Sequence, residues 1–89
     1  SIDIKEHSYV WNDVFQELSQ CKAFSISLQS GNLGFSYKKN STLKSLAVPI
    51  SEIIRQDVEY LMANPDIAKY AYDIKAVYKA IMDRGMPVR

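Results

Sequence analysis

The stretch FSISLQSGNLGFSYK at residues 24–38 decides the fold, because apolar and polar side chains alternate on both sides of a turn. A period of two places every second side chain on the same face of a strand. The apolar positions are Phe24, Ile26, Leu28, Leu33, Phe35 and Tyr37. Ser30-Gly31-Asn32 between the two runs has turn chemistry. The stretch therefore predicts an antiparallel hairpin with one buried face.

A third strand and a helix are predicted after the hairpin. Leu43 to Val48 follows a polar turn, keeps a weaker alternation and ends at Pro49, which cannot donate to a strand ladder. A helical period begins at Ser51 and stops at Asn64-Pro65, a typical helix end. The three strands thus predict an antiparallel meander that leads into a helix.

Two more helices and a fourth strand complete the predicted fold. Apolar residues at helical spacing in residues 8–20 predict a first helix with Ser8 as its N-cap. Residues 67–72 predict a short strand, and a last helix runs from Asp73 as its cap to Gly85. The order is α-β-β-β-α-β-α, which predicts a mixed α/β (α+β) fold. Its three-stranded meander is joined by a fourth strand beside the first.

Composition excludes several classes of protein. The 89 residues carry 11 Lys and Arg against 10 Asp and Glu, a net charge of +1, which is far from the basic excess of a dedicated nucleic-acid binder. Cys21 is the only cysteine, so neither an internal disulfide nor a Cys-rich zinc site can form, and we expect no metal or cofactor. No apolar run approaches the roughly 20 residues that span a bilayer. We expect a cytoplasmic protein without a membrane partner, and residues 1–89 to be a single domain or an excised fragment.

The residues that often carry chemistry have non-catalytic interpretations in this chain. His7 has no nucleophile or orienting partner beside it, so we expect a solvated side chain. Cys21 continues an apolar stripe and lacks the cationic setting of a reactive thiolate, so we expect it to pack. Gly31 and Gly34 flank a hairpin and do not open a helix, so they form no phosphate-binding loop. We expect that the chain by itself is not an enzyme.

Three tyrosines close in sequence, Tyr70, Tyr72 and Tyr78, raise the alternative of base stacking. An aromatic platform for single strands also needs a basic groove, and residues 66–89 carry five basic and three acidic residues. We therefore expect these tyrosines to pack in the core and at its rim, with their hydroxyl groups in water.

The segment KYAYDIKAV at residues 69–77, followed by RGMPVR at residues 84–89, resembles a stretch of the 3′-to-5′ exonuclease domain of bacterial DNA polymerase I, a family A polymerase. The resemblance is closest to the degenerate, inactive form of that domain. In that form an aromatic-Asp-x-Lys run opens a helix, as Tyr72-Asp73-Ile74-Lys75 does here. The element order is also similar to the first half of its ribonuclease-H-like fold. The resemblance covers the whole chain in element order, and its sequence-specific part is the motif around Asp73.

The resemblance implies a metal site that has lost its ligands. Active members carry an Asp-x-Glu pair on the first strand, and Ser25 and Ser27 stand in the matching stretch. Asp73 matches the family's second metal-binding aspartate, while the last aspartate belongs to a later helix that this chain does not contain. Neutral hydroxyl groups leave the charge of two divalent ions uncompensated. Ser25, Ser27 and Asp73 would therefore mark a vestigial site without metal or catalysis.

The leading hypothesis is the N-terminal part of a vestigial exonuclease-like domain that serves as a structural spacer. Its parent would be a DNA-directed DNA polymerase, a nucleotidyltransferase of replication and repair. The remainder of the polymerase chain would be the direct partner, and DNA would be bound through the parent. A sheet cut before its fifth strand also predicts marginal stability or self-association through an exposed edge.

Two alternatives belong to other classes of function. A free-standing interaction module would receive a partner's strand at the hairpin edge, although Lys38, Lys39 and Lys44 near that edge disfavour pairing. A competent nuclease would combine Asp73 with other acidic residues.

Overall fold

The computed structural model describes residues 10–83 and contains three helices and one four-stranded sheet in the predicted order. The mixed α/β fold is confirmed. In chain order the elements are α1 (Trp11–Gln20), β1 (Ala23–Gln29), β2 (Asn32–Lys39), β3 (Thr42–Pro49), a 3₁₀ helix (Ile50–Glu52), α2 (Arg55–Ala63), β4 (Ala68–Ala71) and α3 (Ile74–Asp83).

The strand order β3-β2-β1-β4 confirms that the fourth strand lies beside the first. β1 and β2 pair antiparallel through the turn at Ser30-Gly31, where both residues have positive φ angles of 47° and 83°. Both central residues of a type I′ turn need positive φ, and this turn fits the right-handed twist of the strands that it joins. β4 pairs parallel with β1, so α2 is the crossover between the meander and the last strand.

One face of the sheet forms the core with all three helices. Phe35 lies in its middle, opposite Ile26 on β1 and Leu46 on β3, and is 2% exposed. Its ring lies 5.8 Å from the Trp11 ring of α1 and 6.1 Å from the Phe24 ring. The helices add the following buried apolar side chains: Val14, Leu18, Val58, Leu61, Val77, Ala80 and Ile81. The apolar positions of the hairpin therefore select the face on which the helices pack.

The helix that was predicted to begin at Ser51 begins later, and that prediction is corrected. Ile50 and Ile53 are both buried, and a 3₁₀ turn closed by a hydrogen bond from Ile53 N–H to the Ile50 carbonyl places them on one side. Ile53 and Ile54 then have extended backbone, so α2 starts at Arg55. Its end at Asn64 agrees with the prediction.

The first helix also differs from the prediction at its start. α1 begins at Trp11 with Val10 in the cap position, and no side chain caps it. The predicted cap Ser8 and the predicted C-cap Gly85 of the last helix lie outside the described residues. No helix among residues 10–83 is long and apolar enough to cross a membrane.

Two surfaces of the described fold remain uncovered. β3 and β4 are the edges of the sheet in residues 10–83, and β4 has no strand on its outer side. Next to it in sequence, α3 exposes Ile74, Tyr78 and Met82, which are 41%, 48% and 56% exposed. Residues four apart share one side of a helix, so these three side chains form an apolar strip, called here the α3 strip.

A buried hydrogen bond joins the two helices α1 and α2. The indole Nε1 of Trp11 donates to Oδ2 of Asp57 at 3.0 Å, and both residues are at most 6% exposed. A buried carboxylate needs such partners, because its desolvation is otherwise uncompensated.

Replacing Asp57 with alanine is expected to lower the free energy of unfolding by about 1–3 kcal/mol, because the indole N–H of Trp11 stays buried without its acceptor. Urea unfolding followed by Trp11 fluorescence measures the loss. Asp57→Asn keeps an acceptor oxygen at the same place and should lose less. Equal stability of Asp57→Ala and the wild-type protein would contradict this role.

Candidate functional site

Ser25 and Ser27, the predicted vestigial positions on the first strand, lie on the face of the sheet opposite the core, called here the open face. Phe24 and Ile26 alternate with them and are buried. Ser25 is exposed, and Ser27 accepts a hydrogen bond from the Gln29 side-chain amide at 3.0 Å. No helix of the described chain covers this face, since its outward side chains stay accessible.

Asp73 lies at the junction between β4 and α3, as predicted. Its Oδ1 accepts a hydrogen bond from the backbone N–H of Ala76 at 3.1 Å, which confirms the predicted helix cap. The parallel ladder ends at the pair Ile26 and Ala71, so Asp73 follows β4 at the end of the sheet toward which β1 also runs. Ser27 and Asp73 therefore belong to the same end of the β1–β4 pair.

These three positions offer little to a divalent cation. Hard cations such as Mg²⁺ need several anionic oxygen ligands at one point. Among residues 10–83 no group of three or more His, Cys, Asp or Glu side chains lies close enough to hold a metal ion. Ser25 and Ser27 contribute neutral hydroxyl groups, and one oxygen of Asp73 already accepts a backbone hydrogen bond.

A row of hydroxyl side chains crosses the open face, and the sequence analysis missed it. Ser45 is opposite Ser36, Ser36 is opposite Ser25, and Ser25 is opposite Tyr70, so the row spans all four strands. The hydroxyl groups of Ser36 and Ser45 are hydrogen-bonded at 2.9 Å. The outward serines Ser25, Ser27 and Ser36 can be read from the alternation in the sequence. The register that aligns them with Ser45 and Tyr70 cannot.

The prediction that Tyr70, Tyr72 and Tyr78 pack in the core and at its rim is wrong. They are 64%, 100% and 48% exposed. Tyr70 points from β4 to the open face, Tyr72 lies in the turn before α3, and Tyr78 belongs to the α3 strip. The core face of the sheet is already occupied by the apolar residues of the hairpin and the helices, so these rings stay outside.

Cys21 packs as predicted, against the hydrophobic core at the end of α1. Its thiol donates to the Leu18 carbonyl at 3.1 Å. Burial raises the pKa of the Cys21 thiol, so the neutral form is favoured over the nucleophilic thiolate. Gly31 lies in the hairpin turn and Gly34 inside β2, so neither opens a helix. His7 lies outside the described residues.

A second polar cluster surrounds Glu17 on the helical side of the sheet. Its carboxylate receives hydrogen bonds from the Tyr37 hydroxyl and from the ammonium groups of Lys39, at 2.6 Å, and Lys44, at 3.0 Å. Lys39, then Tyr37, lower the pKa of Glu17 from 4.5 to about 2 through these hydrogen bonds, and Lys44 adds to the effect. The cluster ties α1 to the β2–β3 hairpin. Lys39 and Lys44 are therefore structural partners of a helix and do not simply protect an edge.

Comparison with known proteins gives no match, whether with family models, with curated proteins or with solved structures.

Replacing Glu17 with glutamine is expected to lower stability by about 1 kcal/mol at pH 7, since the site is partly exposed to water. The pKa is lower in the folded protein, so the ionised carboxylate stabilises the fold above pH 4.5. This contribution is lost as the pH falls through about 2. Urea unfolding across this range should show the difference between wild type and Glu17→Gln shrinking toward low pH.

Glu59→Gln is the matched control, because the Glu59 side chain is exposed on α2 and has no hydrogen bond or ion pair with another described residue. It should change stability little at any pH. A Glu17→Gln difference that stays constant from pH 7 to about pH 2 would contradict the role assigned to the Glu17 cluster.

Proposed function

We propose that this chain is the N-terminal part of a vestigial 3′-to-5′ exonuclease-like domain of a bacterial family A DNA polymerase, and that it acts as a structural spacer without catalysis. The supporting observation is the combination of strand order and residue identity. Two serines occupy the outward positions of β1, and the single matching aspartate, at the end of β4, caps a helix.

The chemistry of nucleotide removal supports the absence of catalysis. Two-metal hydrolysis needs carboxylates that hold two ions about 4 Å apart, one to activate water and one to stabilise the leaving oxygen. Ser25 and Ser27 bring no negative charge to this end of the sheet. The spacer role then depends on packing alone, which the one-sided core supplies.

In this proposal the parent is a cytoplasmic enzyme that synthesises DNA during replication and repair. The rest of the parent chain would pack against the two uncovered features, the unpaired backbone edge of β4 and the apolar α3 strip. Unpaired strand edges and exposed apolar strips are features that monomeric proteins usually cover. DNA would be bound by other parts of the parent.

The β4 edge and the α3 strip also favour a second candidate function, an interaction module without catalysis. A partner could add a strand to the β4 edge and cover the α3 strip with apolar side chains. The two candidates differ in the gene, because the spacer requires an open reading frame that continues past Arg89 into a polymerase.

Restoring the two missing carboxylates is expected to create metal binding. Wild-type protein titrated with millimolar Mg²⁺ or Mn²⁺ should show no saturable NMR shifts at the amides of Ser25, Ser27 and Asp73. The double variant Ser25→Asp with Ser27→Glu should show saturable, localised Mn²⁺ broadening, because three carboxylates then lie at one end of the sheet. Localised saturation in the wild-type protein would contradict the proposal.

The matched control for the expected gain of Mn²⁺ binding adds Asp73→Asn to the double variant. Asparagine caps a helix about as well as aspartate, so the fold is kept while one ligand charge is removed. Mn²⁺ affinity should fall by about tenfold or more. Unchanged affinity would contradict the assignment of Asp73 to the vestigial site.

The isolated chain is expected to self-associate through the surface that the parent would cover. Sedimentation velocity should show reversible dimerisation that Tyr78→Lys with Met82→Lys weakens, because two charges then lie in the α3 strip. Leu43→Lys with Tyr60→Lys is the control, since these side chains are 67% and 55% exposed and lie elsewhere. A concentration-independent monomer, or equal effects of both pairs, would contradict this prediction.

A further inference from the structure

A concavity of about 760 Å³ opens on the open face, at the end of the sheet where β1 begins and β2 ends. Its lining includes two lysines, Lys22 and Lys38, and five hydroxyl side chains, among them those of Ser25, Ser36 and Tyr70. Leu43 and residues from the end of α1 and the start of β1 complete it. The volume lies within the range of small-molecule sites. Nothing in the proposed spacer role uses this concavity.

The charge of the concavity is positive. Lys22 and Lys38 line it, and no ion pair or hydrogen bond joins either ammonium group to another described residue. No aspartate or glutamate of the described chain belongs to the lining. Glu17 shares a smaller neighbouring pocket with Lys38, but its carboxylate lies on the helical side and is paired with Lys39 and Lys44. The two lysines of the lining therefore have no counter-charge within it.

The walls supply hydrogen-bond donors and a flat ring beside these charges. The hydroxyl group of Ser25 has no hydrogen-bond partner among the described residues, and Tyr70 stands directly opposite it on β4. The Tyr70 ring is 64% exposed on the open face. An exposed ring beside a polar site can stack on a planar ligand group.

The open face is built to stay accessible to polar ligands. Its outward positions on β1 and β2 include Ser25, Ser27, Gln29 and Ser36. An apolar element packed on these side chains would bury their polar groups without partners, at a cost. An apolar element packed over the concavity is therefore disfavoured.

We propose that this concavity binds a small aromatic phosphate monoester. The phosphate dianion lies between Lys22 and Lys38 and accepts hydrogen bonds from the serine hydroxyl groups, while the planar ring stacks on Tyr70. Two ammonium groups match the two charges of a monoester, and charge-assisted hydrogen bonds are stronger than neutral ones. The affinity is on the order of millimolar for a ligand of about ten non-hydrogen atoms.

Phenyl phosphate is the probe, and its titration into labelled protein is followed by NMR of the backbone amides. Saturable shifts are expected at Ser25, Ser36, Lys38 and Tyr70, with tighter binding than inorganic phosphate at the same ionic strength. Lys22→Gln and Lys38→Gln should each weaken binding by about fivefold, the effect of one unit-charge contact at about 4 Å in water. Lys75→Gln, on the exposed side of α3, is the control and should leave the affinity unchanged.

A second pair of variants tests the aromatic contact. Tyr70→Ala should remove the preference for phenyl phosphate over inorganic phosphate, because only the ring contact is lost. Tyr78→Ala removes an exposed tyrosine of α3 and should keep the preference.

Four outcomes would overturn the proposal. The first is no saturable shift with phenyl phosphate, and the second is an equal loss in Lys75→Gln, which would indicate general charge attraction. The third is equal binding of phenol, which would make the concavity an apolar site. The fourth is binding of oligothymidylate with none of phenyl phosphate, which would indicate recognition of a phosphodiester strand.

Discussion

Phe35 lies where the sheet and the helices meet, and the fold depends on its burial. Its ring contacts Trp11 of α1 and Phe24 of β1, and its neighbours across the sheet are Ile26 and Leu46. A side chain of this size makes dozens of dispersion contacts, so removing it would leave a cavity in the middle of a small core. Because Phe35 and its neighbours all point to one side, the sheet has a single core face.

This one-sided core determines what each surface can do. The helices occupy one face, so the serines of β1 and β2 are left on the other, where Ser27 accepts from Gln29 and Ser36 is hydrogen-bonded to Ser45. The polar contacts on the helical side are structural, because Trp11 with Asp57 and Glu17 with its lysines hold helices in place. The polar groups available to a ligand therefore lie on the open face. The surfaces available to a protein partner are the β4 edge and the α3 strip.

The two proposals use different parts of the molecule and rest on different observations. The vestigial site concerns the end of the sheet where β1 and β4 finish, and it follows from the identity of Ser25, Ser27 and Asp73 at those positions. The phosphate site concerns the opposite end, and it follows from two lysines without counter-charges in a concavity. Ser25 belongs to both, because it pairs with Tyr70 inside the ladder, between the two ends of the β1–β4 pair.

The sequence by itself determined the element order, the hairpin, the buried face and the helix cap at Asp73, because these depend on local periodicity and on hydrogen bonds between near neighbours. Tertiary structure alone decided the later start of α2, since burial of Ile50 and Ile53 imposes a 3₁₀ turn that no local pattern encodes. It also decided the exposure of Tyr70 and Tyr72, the Glu17 cluster and the hydroxyl row. Each of these depends on strand register or on contacts between residues distant in sequence, which follow only once the whole core is packed.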